Sequence, residues 1–101
     1  MARNPAFDAL LQRMADIHDK KNEDYAQDGN PYSNFEEAAA AAGVTVDQVF
    51  AVLMGIKQAR LKELMRSGKV PNNESTQDTK LDLAVYAALR AIYPVVYLIE
   101  H

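Results

Sequence analysis

Residues 76–100 read TQDTKLDLAVYAALRAIYPVVYLIE, and the reading of this stretch decides the fold. From Leu81 to Tyr93 it is apolar on nearly every side of a helix, the pattern of an element enclosed by others rather than of a surface helix. Asp82, Arg90 and Pro94 interrupt the apolar run, so a helix through the centre of a protein core is expected, not a membrane span. Ser75 or Thr76 supplies the N-cap. Pro94 has no N–H and crowds the preceding turn, so it is expected to kink or end the helix. The tail beyond it, VVYLIE, suits further helix, an added strand or a contact with another subunit.

A central helix needs others around it, and the rest of the chain provides them. Phe7, Leu10, Leu11, Met14 and Ile17 recur at three- and four-residue steps, which predicts an amphipathic helix from about Pro5 to about Asp24. AQDGNPYS is turn chemistry, with Gly29 tolerant of positive φ and Pro31 restricting Asn30. Ser33 or Asn34 then caps a short helix, Phe35 to Ala42, closed by Gly43. Thr45 and Gln48 form a T-x-x-Q capping box for a helix that runs to about Ser67, with Gly68 after it. GKVPNNES is a second loop. The expected fold is all-α: a compact bundle of about four helices in one domain over residues 1–101, with the C-terminal helix central and interrupted at Pro94.

Composition agrees with one globular domain. Of the 101 residues 49% are hydrophobic and 25% charged, too apolar for a disordered chain. The formal net charge of −3 gives no basic surface for duplex nucleic acid. There is no cysteine, hence no disulfide and no thiolate metal site, which fits a reducing cytoplasm. The N-terminus lacks the apolar core of a signal peptide, and a cytoplasmic location is expected.

The candidate site comes from polar residues that break the apolar rows. In the first helix the row 7, 10, 14, 17 runs on into Lys21, Asp24 and Tyr25. In the third, Val46, Val49, Phe50 and Leu53 lead to Lys57 and Arg60 before Leu61 and Leu64 resume the row. In the fourth, Asp78, Asp82 and Tyr86 share one face at four-residue spacing. Charges buried without partners cost several kcal/mol each on the order-of-magnitude scale, so these must pair with one another, meet solvent in a cleft, or hold a ligand. Lys57 and Arg60, one turn apart, can converge on a phosphate. Tyr25, Tyr32 and Phe35 can stack on a base, against a core role that suits Phe35 best. Asn30 and Asn34 can read a base edge, against turn-forming and capping roles. Asp78 and Asp82 can share a Mg²⁺ ion with ligand phosphates. His18 reads as an ordinary face residue, and neither a nucleophile elbow nor a zinc set is present.

Four motifs, K-N-E-D-Y, N-P-Y-S-N-F, I-K-Q-A-R-L and E-S-T-Q-D-T-K-L-D-L-A-V-Y, occur in order from Lys20 to Ala91. Together they resemble the nucleotide modification associated domain 1 family, small helical proteins of phages and prophages. The resemblance implies nucleotide metabolism or modification, in the host cytoplasm for a phage product. It carries function to Lys21, Asp24, Tyr25, Asn34, Lys57 and Arg60 as ligand-binding residues and to Asp78 and Asp82 as metal ligands. Glu36 stands where that family often has a basic residue, and Val85 where it often has Asn. A looser similarity is to the MazG-type all-α nucleotide pyrophosphohydrolases. Their E-E-x-x-E motif is incomplete here, because Ala40 follows Glu36 and Glu37 at the third position. Asp78 and Asp82 are likewise spaced by four rather than three.

Three functions are therefore carried forward. The first is a binder of a phosphorylated nucleotide, which sequesters a nucleotide signal used in host defence or serves nucleotide modification. The second is a Mg²⁺-dependent nucleotide pyrophosphohydrolase. The third is a structural, oligomeric interaction module that uses VVYLIE. A homo-oligomer is expected, with a nucleotide-derived partner and neither membrane nor duplex nucleic acid. Whether the protein is an enzyme stays open.

Overall fold

The computed structural model describes residues 4–25, 30–68 and 75–100, excluding the side chains of residues 21–25 and 94–100. Its regular elements are four helices: α1 (Pro5–Tyr25), α2 (Ser33–Ala42), α3 (Val46–Ser67) and α4 (Thr76–Glu100). Gly29 and most of the second loop lie outside the described residues.

Local chemistry sets the helix ends. Before α1, the Asn4 carboxamide oxygen accepts from the Ala6 N–H at 2.9 Å, and Pro5 fills the first position, where no N–H is needed. Neither Ser33 nor Asn34 caps α2, contrary to expectation; both lie inside the helix, and Tyr32 is the boundary residue without a side-chain cap. The turn is instead held by Asn30, whose side-chain oxygen accepts from the Tyr32 N–H at 2.9 Å. At the far end Gly43, at φ 69°, donates to the Ala40 carbonyl while the Val44 N–H reaches Ala39, a Schellman closure. Both arms of the Thr45–Gln48 capping box are formed, at 2.9 and 3.1 Å. Gly68, at φ 67°, ends α3 with its N–H on the Leu64 carbonyl. Ser75 is the α4 cap, its hydroxyl accepting from the Asp78 N–H at 3.0 Å.

α3 packs along α4, α2 on α3, and α1 on α4. The core joins Tyr32, Phe50, Val85 and Leu89, with Met14, Phe35, Val46, Tyr86 and Tyr93 around them. Phe50 has no exposed surface, and the Phe35 ring lies 4.6 Å from it, centroid to centroid. Tyr32 meets Tyr93 edge-on at 4.7 Å. Phe35 is thus a core residue as read from the sequence; Tyr32, weighed there as a base-stacking ring, is core as well.

Two expectations about α4 are corrected. Leu81, Val85 and Leu89 bury one face at four-residue spacing, but Ala87, Ala88 and Ala91 are exposed and Ile92 is 48% exposed. Within one chain the helix is covered along one side only, by α3, α1 and the Tyr32–Glu36 end of α2. Nor does Pro94 interrupt it: α4 runs to Glu100 as one helix. Proline removes a single ladder bond, that to the carbonyl four residues back, and the helix continues past it. The N-terminal half of α1 is likewise loosely covered, with Phe7 51% and Leu11 46% exposed.

Candidate functional site

The inward face of α3 brings Lys57 and Arg60 against the polar face of α4. Lys57 Nζ lies 3.0 Å from Asp82 Oδ2, with about a fifth of each side chain exposed. Arg60 Nε donates to Thr79 Oγ1 at 3.1 Å. Thr79 is fully buried, and its hydroxyl donates to the Ser75 carbonyl at 3.2 Å. Lys57, Arg60, Thr79 and Asp82 each make a further interaction besides these. Two cations one turn apart thus face one carboxylate and one hydroxyl three residues apart on the neighbouring helix. Burial strengthens such pairs and also raises the desolvation cost of each charge.

The other residues singled out from the sequence fall elsewhere. Asp78 is on the outer side of α4, about half exposed and 3.9 Å from Arg13 of α1. Asn34 is exposed in the first turn of α2. The side chains of Lys21, Asp24 and Tyr25 lie outside the described residues. Asn30 has the turn-forming role, its amide donating to Glu36 at 2.6 Å. Tyr86 packs its ring edge-on to Phe35.

Among the described residues no group of three or more His, Asp or Glu side chains is placed to hold a metal ion. Asp82 faces Lys57 and Asp78 faces Arg13, so each carboxylate already has a cation as neighbour. Mg²⁺ asks for oxygen donors in near-octahedral order. It typically takes one or two carboxylates and completes the set with water and ligand phosphates.

Three polar contacts were not legible in the sequence. Arg90 clamps Asp47 with Nε at 2.7 Å and Nη2 at 3.0 Å, tying the first turn of α3 to α4. This hydrogen-bonded guanidinium holds the Asp47 carboxyl below the usual carboxylate range. Glu36 accepts from Asn30 and, at 3.1 Å, from the Tyr93 hydroxyl, which joins the turn to α4. Thr79 reads as one more polar residue in a cap region and shows no signal of its partnership with Arg60. In each case the partners are 19 or more residues apart or on different elements, and no periodicity encodes that.

No protein-family model, curated protein or solved structure matches the chain. The resemblance drawn above rests on its four motifs alone.

Proposed function

We propose that the protein binds a phosphorylated nucleotide, with Lys57 and Arg60 as the groups that hold its phosphate. The observation behind this reading is the pair of cations one turn apart on α3, both drawn off the open surface and set beside Asp82 and the buried Thr79 hydroxyl. Arg supplies a planar fork and Lys a mobile point charge, a combination suited to a phosphate group. An arriving phosphate would exchange with the Asp82 carboxylate as the partner of Lys57. The nucleotide class comes from the motif resemblance, as do the two roles that go with it: sequestration of a nucleotide signal, and service to a nucleotide-modifying enzyme. A Mg²⁺-dependent pyrophosphohydrolase is the alternative, with Asp82 and Asp78, now set against Lys57 and Arg13, as its metal ligands.

Isothermal titration with mono-, di-, tri- and cyclic nucleotides tests it. Saturable binding by the wild type, lost in Lys57→Met while helicity is kept, is the expected result; absence of binding across the panel sinks the proposal. The 3.0 Å Lys57–Asp82 pair favours a second reading, in which the cluster is a lock between α3 and α4. On that reading Lys57→Met alone destabilises by roughly 2–4 kcal/mol, whereas Lys57→Met with Asp82→Leu restores or raises stability. Urea unfolding of the two variants separates the readings.

A further inference from the structure

Among the described residues Thr79 is the only polar side chain that is fully buried. Valine has the same shape, so packing alone does not call for a hydroxyl at this place, and burying one is costly unless it is hydrogen-bonded. Both sides of this hydroxyl are used. A hydroxyl has one proton to donate and two lone pairs. The proton goes to the Ser75 carbonyl at 3.2 Å, the back-bond that threonine makes inside helices. That fixes the hydroxyl as an acceptor toward α3, and Arg60 Nε donates to it there at 3.1 Å. Ser75 is itself held in place: it caps α4, and its carbonyl also receives the Thr79 N–H at 3.1 Å. A chain of bonds thus runs from a helix cap to one edge of a guanidinium.

We infer that Thr79 is a positioning residue for the phosphate site: its hydroxyl sets the plane of the Arg60 guanidinium through Nε and so aims the two Nη groups as a fork. This rests on the phosphate-binding reading above. The guanidinium is planar and rigid, so a bond at Nε orients all of it. Arginine has many rotamers, and ordering it before a ligand arrives lowers the cost of binding. The hydroxyl is neutral, so this contact orients Arg60 without cancelling its charge. Lys57 is held differently, by the Asp82 carboxylate at 3.0 Å, a contact that an arriving phosphate exchanges. With Nε on Thr79, a phosphate is taken end-on by Nη1 and Nη2, and the Thr79 contact persists when it binds. Arg60 becomes the fixed member of the pair and Lys57 the exchanging one.

Thr79→Val removes the hydroxyl and keeps the shape, whereas Thr79→Ser keeps the hydroxyl. Isothermal titration of both over the same panel of mono-, di-, tri- and cyclic nucleotides tests the proposal, with circular dichroism to confirm folding. Thr79→Val is expected to weaken binding of every nucleotide that the wild type binds by roughly tenfold, the scale of a hydrogen bond to a charged group. Thr79→Ser should bind like the wild type. Arg60→Lys keeps the charge and loses the planar fork, so adding Thr79→Val to it should cause no further loss. Nitrogen-15 NMR gives a readout without nucleotide: the Arg60 Nε–H should exchange slowly with water in the wild type and Thr79→Ser, and faster in Thr79→Val. Binding that Thr79→Val leaves intact overturns the proposal. So does a loss that recurs unchanged in Arg60→Lys, because Thr79 then acts on the fold and not through Arg60. If Arg60→Lys no longer binds, the exchange of Nε–H decides, and equal rates in all three proteins overturn the proposal. A wild type that binds no nucleotide in the panel removes the phosphate-binding reading itself, and the role of Thr79 with it, whatever the variants do.

Discussion

Lys57 stands where an apolar row would otherwise continue, and Asp82 stands where α4 would otherwise be uniformly apolar. Each anomaly was visible alone; the 3.0 Å contact between them was not, since the two stand 25 positions apart on different helices. Tyr32 teaches the same lesson from the other side. Beside a turn it suits either a base-stacking or a core role; it is 7% exposed and its hydroxyl reaches the Leu89 carbonyl at 3.4 Å. Burial pushes its phenol above the ordinary value near 10, so the folded state favours the neutral form. The associated stability is present below the unfolded value and is lost as pH rises through the folded one. Thermal stability should therefore fall above about pH 10, and Tyr32→Phe should blunt that fall. At neutral pH the variant should lose no more than about 1 kcal/mol, the worth of one hydrogen bond. Coincident alkaline profiles for the two proteins would remove Tyr32 as the cause.

At the scale of elements, caps were the most legible feature. Thr45 and Gln48 bond reciprocally three residues apart, and Gly43 and Gly68 occupy left-handed conformations that glycine adopts without steric cost. These are local relations, and short spacing encodes them. Thr45→Ala should cost about 1 kcal/mol in urea unfolding, because it removes the acceptor for the Gln48 N–H at the start of α3. An unchanged midpoint would mean that α3 is held in place by its packing on α2 and α4 alone. The α2 boundary departs from expectation because Ser33 and Asn34 have the chemistry of caps but lie inside the helix, which has no side-chain cap, while Asn30 holds the turn before it. Pro94 lacks the N–H of a helical ladder, yet α4 runs through it to Glu100, the helical continuation that VVYLIE also suited. The α2–α3 corner turns by 96° at Gly43–Thr45, and this directs Phe35 onto Phe50.

For the molecule as a whole, exposure of Phe7, Leu11, Val52, Ile56 and Ile92 shows that one chain leaves much of its apolar pattern unburied. Among the described residues no single helix is long and apolar enough to cross a membrane. If these open apolar faces meet in an oligomer, folding and association are linked, and the melting temperature should rise with protein concentration in differential scanning calorimetry. A melting temperature independent of concentration over a hundredfold range, roughly 2.7 kcal/mol in mass action, would separate the two events.

By itself the sequence determined the four helices, most of their ends, and the fact that charges interrupt apolar faces at Lys57, Arg60 and Asp82. Helical periodicity and capping act over about three to eight residues, so a linear pattern carries them in full. Only the tertiary structure decided which charges meet, that Tyr32 is core, that Asp47 is clamped by Arg90, and which apolar faces stay open. Those outcomes depend on how helices cross and which neighbours exist to cover each face, and packing between distant segments sets both.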